Sequence, residues 1–263
     1  LNSGTEYEFA NGLSFVSPMF EKDGELPTDA MKNAIVKGTD WLYKGRFLID
    51  ASWEQFCRNM QMPGAGYGPY LDKDVKTGDG SLGIIEGHGS KLYWNGTQQY
   101  RYCNRADDNG QVAFACAMTN RITGRSSDAI VASNLLDFLF YNSNVLSRGG
   151  DDPDNPCFGL MGWSDSEHSN HVYYGDDNAR AILGALGATA CLNIWNWDRE
   201  ILETILANFR TTGKNGFRGS NIRAEALQKN GWKHYWNGDI VNPHPHFESW
   251  MWACYLWLYD KTG

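Results

Sequence analysis

The sequence has no Cys-x-x-Cys pair, no P-loop and no Gly-x-Ser-x-Gly motif. Zinc-ribbon, phosphate-loop and serine-hydrolase functions therefore have no local support. Positive charge is also scarce, because 23 Lys and Arg stand against 31 Asp and Glu and leave a net charge of −8. Nucleic acids and anionic membranes are bound by positive surfaces, so the composition argues against both as partners.

Long hydrophobic runs are missing as well. The longest apolar stretch, residues 249–259, is about half the length that a bilayer span requires. No membrane span is therefore predicted. The chain begins with Leu and shows no signal-peptide pattern, which indicates a mature or trimmed polypeptide.

Aromatic residues, in contrast, are abundant. Eleven Trp, thirteen Tyr and twelve Phe make up 14% of the 263 residues, which is more than a core alone needs. The C–H face of a sugar ring packs well on an aromatic ring while its hydroxyls stay hydrogen-bonded. The composition therefore favours a carbohydrate as the partner, although a Trp-rich core would explain any single ring equally well.

Two kinds of helix alternate along the chain. Runs of small and apolar residues begin at the equally spaced positions 106, 175 and 244, and such runs predict helices that are buried on most sides. Residues 28–44, 127–142 and 198–210 instead carry one apolar stripe and one polar face, which predicts outer helices. The connections leading back to the inner helices are long, and loops of that length are usually functional. All three should meet on one rim.

The first two inner runs open with acidic motifs, "ADDNG" at 106–110 and "GDDNA" at 175–179. Alternating hairpins with these starts resemble the (α/α) toroid of the six-hairpin glycosidase superfamily over roughly residues 100–263. The resemblance implies an all-α array of helical hairpins, with buried inner helices, amphipathic outer helices and long loops on one rim. A closed ring of that type has about six inner helices, whereas three are predicted here. We therefore expect one domain over 1–263, with an irregular segment over 1–26, that is an incomplete ring or part of a longer chain.

The acidic motifs supply the candidate catalytic residues. Glycoside hydrolysis uses two carboxyls on opposite sides of the scissile bond, one as acid and one as base or nucleophile. Asp107 or Asp108 facing Asp176 or Asp177 across a helix pair would provide them. Aspartate is also a preferred N-cap, so we expect one member of each pair to cap its helix or to pair with Arg105 or Arg180.

Glu248 is a further catalytic candidate, because it lies in the first turn of the third inner helix among aromatic residues. The histidines and many of the aromatic residues fall in the long connections, as expected for the lining of a cleft. The predicted substrate-binding residues are Glu86, His88, Trp94, Trp163, His168, His171, Tyr174, Trp236, His244, His246 and Trp250. The histidine spacings depart from the zinc-protease pattern, so no metal and no cofactor are predicted.

Three functions remain open. A hydrolase that cleaves glycosidic bonds of an oligo- or polysaccharide would use the acidic motifs. A polysaccharide lyase would use Tyr and His, for which "HSNHVYY" at 168–174 with Arg218 and Arg223 is the candidate. A non-catalytic glycan-binding or structural module would use the loop tryptophans alone. A glycan substrate favours a secreted or periplasmic location.

Overall fold

The computed structural model describes residues 27–61, 66–69, 71 and 74–263. The predicted irregular segment over 1–26 lies outside them. The described chain is mostly helical, with a few short strands. Its α-helices are α1 (Ala30–Lys44), α2 (Glu54–Met60), α3 (Ala106–Thr123), α4 (Ser126–Asp137), α5 (Gly175–Leu192), α6 (Asp198–Arg210), α7 (Ala224–Asn230), α8 (Trp232–Trp236) and α9 (Pro245–Thr262). None of the helices in these residues is both long and apolar enough to cross a membrane.

The helices pack on one another in the following pattern. α3 packs on α5 and α5 packs on α9, while α4 covers α3 and α6 contacts both α5 and α9. α1 packs on α3. The predicted outer helix over 198–210 has those same bounds in α6, and the one predicted over 127–142 continues from α4 into a π-helical turn, Phe138–Asn142.

The contact between α3 and α5 is a backbone-to-backbone contact made possible by glycine. A Cβ atom added to Gly184 would lie 2.3 Å from the carbonyl carbon of Gly110. A Cβ atom on Gly110 would lie 2.6 Å from the carbonyl oxygen of Ala181. The small residues of the two runs thus bring the two helices together, and with them the acidic motifs at their starts.

The prediction of plain loops in the long connections was wrong. The first connection contains an antiparallel sheet of β1 (Tyr67–Gly68), β2 (Gly87–Leu92) and β3 (Gln98–Arg101), in the order β1-β3-β2. β4 (Val172–Tyr174) pairs with β5 (Asn221–Arg223) and so joins the second connection to the third. β1, β4 and β5 have only two or three residues, too few to show an alternating pattern, and β2 has two glycines and one apolar residue among its six.

The third inner helix was also expected to be buried on most sides, and this too was wrong. In α9 only Glu248, Met251 and Cys254 are buried, while Leu256 and Tyr259 are each 68% exposed. Among the described elements, α5 and α6 are the main neighbours of α9. The sequence of a helix reports its own hydrophobicity, but burial also requires a partner on each face.

Candidate functional site

One open cavity of about 290 Å³ lies where the starts of all three inner helices meet. Its lining comes from β3, from the segments that precede α3 and α5, from the first turn of α5 and from the first turn of α9. The lining residues are Arg101, Arg105, Trp163, Tyr174, Asp176, Asp177 and Phe247. The first two long connections thus meet at this cavity, and the third connection is represented there by the first turn of the helix that follows it.

Backbone pairing explains why these segments converge. Arg105 and Ser164 form an isolated antiparallel bridge, and the N–H of Ala106 donates to the carbonyl oxygen of Trp163 at 3.1 Å. The N–H of Gly175 donates to the carbonyl oxygen of Ser220 at 3.0 Å. α3 and α5 thus each begin on a short extended segment that a neighbouring connection holds in place.

The two acidic motifs face each other across α3 and α5, as the sequence predicts, and two arginines link them. Arg180 Nη2 lies 2.8 Å from Asp107 Oδ2, 2.8 Å from Asp177 Oδ1 and 3.1 Å from Asp176 Oδ2. Arg105 donates through Nε to Asp107 Oδ1 at 2.9 Å and through Nη2 to Asp177 Oδ1 at 2.7 Å. Neither helix has a side-chain N-cap, because Arg105 and Tyr174 occupy those positions. The expected pairing with arginine is confirmed, and the alternative of capping was wrong.

Asp108 forms none of these ion pairs and has a different environment. Its Oδ2 atom is buried and has no hydrogen-bond partner among the described residues. Burial, and next the negative charge of Asp107, raise the pKa of Asp108 to about 7. Asp108 therefore changes its protonation state near neutral pH.

An excess of carboxyl groups in the cluster adds to the effect of burial on the pKa of Asp108. Glu86 accepts a hydrogen bond from Arg101 Nη1 at 2.7 Å, and its Oε2 lies 3.8 Å from Arg105 Nη1. With the four aspartates, this makes five carboxyl groups beside three guanidinium groups. Such an excess of negative charge in a largely buried place favours protonation of a carboxyl group. Burial and the charge of Asp107 also raise the pKa of Asp177, against the opposing effect of Arg105 and Arg180.

The aromatic part of the lining offers flat apolar surface beside these charges. The Trp163 ring lies 5.6 Å from the guanidinium carbon of Arg105 and 5.9 Å from that of Arg101. Tyr174 and Phe247 stand on the α5 and α9 sides of the same cavity. Of the predicted substrate-binding residues, Trp163 and Tyr174 are thus brought together, and Glu86 is held beside them by Arg101.

Glu248 is placed away from the cavity lining, and its carboxylate is fully engaged. It accepts hydrogen bonds from the backbone N–H of Arg218 at 3.0 Å, from the N–H of Gly219 at 2.9 Å and from Asn242 Nδ2 at 3.0 Å. It is 1% exposed. These hydrogen bonds fix the loop 211–220 to the start of α9, which is a structural role for the Glu248 carboxylate.

The predicted histidines are dispersed. His88 packs against the rings of Phe47 and Tyr100, with centroid distances of 5.2 and 4.8 Å.

The other predicted histidines lie in three further places. His168 lines a separate cavity of about 220 Å³ together with Asp165, and His171 Nε2 lies 3.4 Å from Arg223 Nη1. His244 and His246 are exposed at the start of α9, where both contact the Phe247 ring. Within the described ranges, no three His, Cys, Asp or Glu side chains are grouped so that they could hold a metal ion.

The remaining predicted tryptophans also lie elsewhere. Trp94 is 98% exposed in the turn between β2 and β3, and Trp250 is exposed on α9. Trp236 lines another cavity with Phe209 and Lys214. Sequence reasoning did not single out Arg101 or Phe247 as part of the site. Two arginines spaced four residues apart before the first acidic motif were the available signal for Arg101.

No protein-family model, curated protein or solved structure matches this chain.

Proposed function

We propose that this protein is a glycoside hydrolase that cleaves an oligo- or polysaccharide in the cavity at the starts of α3, α5 and α9. The observation that carries the proposal is that two carboxyl groups, Asp176 and Asp177, share this open cavity with three aromatic side chains. Carboxyl pairs perform glycosidic cleavage, and aromatic rings hold sugar rings.

Asp177 has the environment of a general acid in this proposal. Its side chain is 5% exposed, and the raised pKa keeps a proton available near neutral pH. Asp176 is the more exposed of the two, at 14%, and is held by one guanidinium rather than two. Asp176 Oδ2 and Asp177 Oδ1 contact the same Arg180 nitrogen at 3.1 and 2.8 Å, so these two oxygens lie within about 6 Å of each other. Because a separation this short fits retaining rather than inverting enzymes, we assign Asp176 the role of the nucleophile.

The proposed function includes the resemblance to the six-hairpin glycosidases. The packing of α3 on α5 and of α5 on α9, with α4 and α6 outside, supports the arrangement of an (α/α) toroid. We propose a secreted or periplasmic location on the same grounds, because polysaccharides are met outside the cytoplasm.

A second candidate, a glycan-binding module without catalysis, is favoured by one specific observation. Asp107, Asp176 and Asp177 all form ion pairs with Arg180, which is what an architectural cluster requires. The lyase alternative has less support. The Tyr173 hydroxyl donates to the carbonyl oxygen of Arg148, and Arg218 is buried against the carbonyl oxygen of Tyr173. Tyr174 is the one residue of that predicted set that lines the cavity.

The test is an activity screen with matched variants. Wild-type protein is incubated with aryl glycosides and soluble polysaccharides, and both new reducing ends and near-ultraviolet absorbance are measured. Asp177→Asn should lower the hydrolysis rate about 10²- to 10⁴-fold, as expected for the loss of a general acid. Asp198→Asn, in the exposed first turn of α6, is the control and should retain the wild-type rate.

Each alternative has its own outcome. Both reactions release a new reducing end from a polysaccharide, but only elimination also forms an unsaturated product, so ultraviolet absorbance that rises together with the reducing ends of a polysaccharide would identify a lyase. If the polysaccharides bind, if Trp163→Ala weakens that binding, and if none is cleaved, the protein is a binding module. Full activity of both Asp177→Asn and Asp176→Asn would refute the assigned roles.

A further inference from the structure

The position of Asp107 points to a role that differs from those of Asp176 and Asp177. Asp107 is 1% exposed and does not line the cavity. Its two carboxylate oxygens are held by Arg105 and Arg180, the same two side chains that hold Asp177 Oδ1. Asp107 and Asp177 thus compete for one pair of cations.

The consequence for Asp177 follows from electrostatics. Two guanidinium groups that served Asp177 alone would strongly favour its ionised form. Because Asp107 takes hydrogen bonds from both, the cations are shared between two buried carboxyl groups, and the charge of Asp107 repels that of Asp177. The side chain of Asp177 keeps a fixed direction into the cavity, but the preference for its charged form is reduced.

We infer that Asp107 is a positioning residue, which orients Asp177 through Arg105 and Arg180 and keeps the Asp177 carboxyl able to carry a proton. Asp107 itself touches no substrate in this arrangement. The inference rests on the proposed function for its catalytic meaning, but the coupling between the two carboxyl groups can be measured without any substrate.

The other charged groups around Asp177 are limited in number. Asp176 and Arg180 lie on α5 itself, Arg105 precedes α3, and Arg101 of β3 lies on the same cavity wall. From α9 the cavity receives the uncharged Phe247. Among the carboxyl groups, Asp107 exerts the largest influence on the ionisation of Asp177, and Asp176 the next largest.

The experiment is an NMR titration of protein labelled with ¹³C at the aspartate carboxyl carbons, in which Asp177→Asn identifies the Asp177 signal by its loss. Asp107→Asn should lower the pKa of Asp177 by about one unit or more, because it removes the neighbouring negative charge. Asp107→Glu, which keeps the charge, should restore most of the wild-type value. Asp198→Asn should leave it unchanged.

A purely architectural Asp107 would give a different pattern. Asp107→Asn would then lower the melting temperature and leave the pKa of Asp177 where it was, which would overturn the inference. If Asp107→Asn does not fold, the wild-type titration decides. The Asp177 signal should show two steps, as a coupled group does, and a single Asp177 step near 3.8 would refute the coupling.

Once a substrate that the protein hydrolyses is known, Asp107→Asn should also change the pH dependence of the hydrolysis rate. A general acid must be protonated, so the rate falls as the pH rises through its pKa. Asp107→Asn should therefore move the alkaline limb of the kcat/KM profile to lower pH by the shift measured by NMR. A chain that hydrolyses no glycan would refute the proposed function and leave the NMR result standing.

Discussion

The pair formed by α3 and α5 differs from α9, although all three helices begin at the same cavity. α3 and α5 touch through glycine backbones, and their starts carry more carboxyl groups than guanidinium groups. α9 has large aromatic residues, much exposed surface and one acidic side chain whose hydrogen bonds are complete. The tightly packed pair of α3 and α5 thus carries the unbalanced charge, whereas the loosely packed α9 carries a carboxylate, Glu248, whose hydrogen bonds are complete.

The largest effect is expected where the two backbones touch. Gly184→Ala should lower the free energy of unfolding by about 3 kcal/mol or more, because overpacking forces α3 and α5 apart. Urea denaturation measures it. Gly38→Ala on α1 is the matched control, since a Cβ there meets nothing within 4 Å, and it should stabilise by about 0.5–1 kcal/mol. A stabilised Gly184→Ala would show that the helices are not in backbone contact.

The next effect concerns the carboxylate at the start of α9. Glu248→Ala should cost about 3 kcal/mol, because two backbone N–H groups and the Asn242 amide would lose their buried acceptor. Glu225→Ala, at an exposed first-turn glutamate of α7, should change stability by about 0.5 kcal/mol or less. A small effect at Glu248 would mean that water replaces the carboxylate, and the contrast between the two helix starts would weaken.

Replacing Asp108 at the start of α3 should stabilise the protein, whereas replacing Glu248 should destabilise it. The ordinary pKa of Asp108 is 3.8 and the folded value is about 7, so the folded state binds this proton more tightly than the unfolded state. The resulting stabilisation is complete below about pH 4 and is lost as the pH rises through 7. Asp108→Asn should therefore match wild type near pH 4 and exceed its unfolding free energy by about 1–3 kcal/mol near pH 8.

Thermal or urea unfolding of both proteins across that pH range checks the sign. Glu248→Gln provides the comparison, because it should be destabilising at both ends of the range. If Asp108→Asn were destabilising at pH 8, neighbouring positive charge or hydrogen bonds would have to stabilise the ionised Asp108 carboxylate. The site would then lack the excess negative charge that motivates the catalytic proposal.

The sequence predicted the features that depend on local pattern. Helical periodicity located α1, α4 and α6, because an amphipathic stripe is a property of consecutive residues. The repeated acidic motif predicted that Asp107 or Asp108 faces Asp176 or Asp177, and the structure joins Asp107 to both of the latter through Arg180. It could not predict the environment of Glu248, whose partners are backbone groups about thirty residues away. Nor could it separate Trp163 from Trp94, because cavity and solvent are distinguished by tertiary packing alone.

The smallest effect is expected on the exposed face of α9. Leu256 is 68% exposed, so Leu256→Ala should change the unfolding free energy by about 0.5 kcal/mol or less. Ile182→Ala, at a fully buried position of α5, should cost about 2–5 kcal/mol by the same urea measurement. A loss above about 1.5 kcal/mol at Leu256 would mean that another surface covers this face in solution. Sedimentation at two protein concentrations would show whether that surface belongs to a second copy, and α9 would then be an inner helix completed by association.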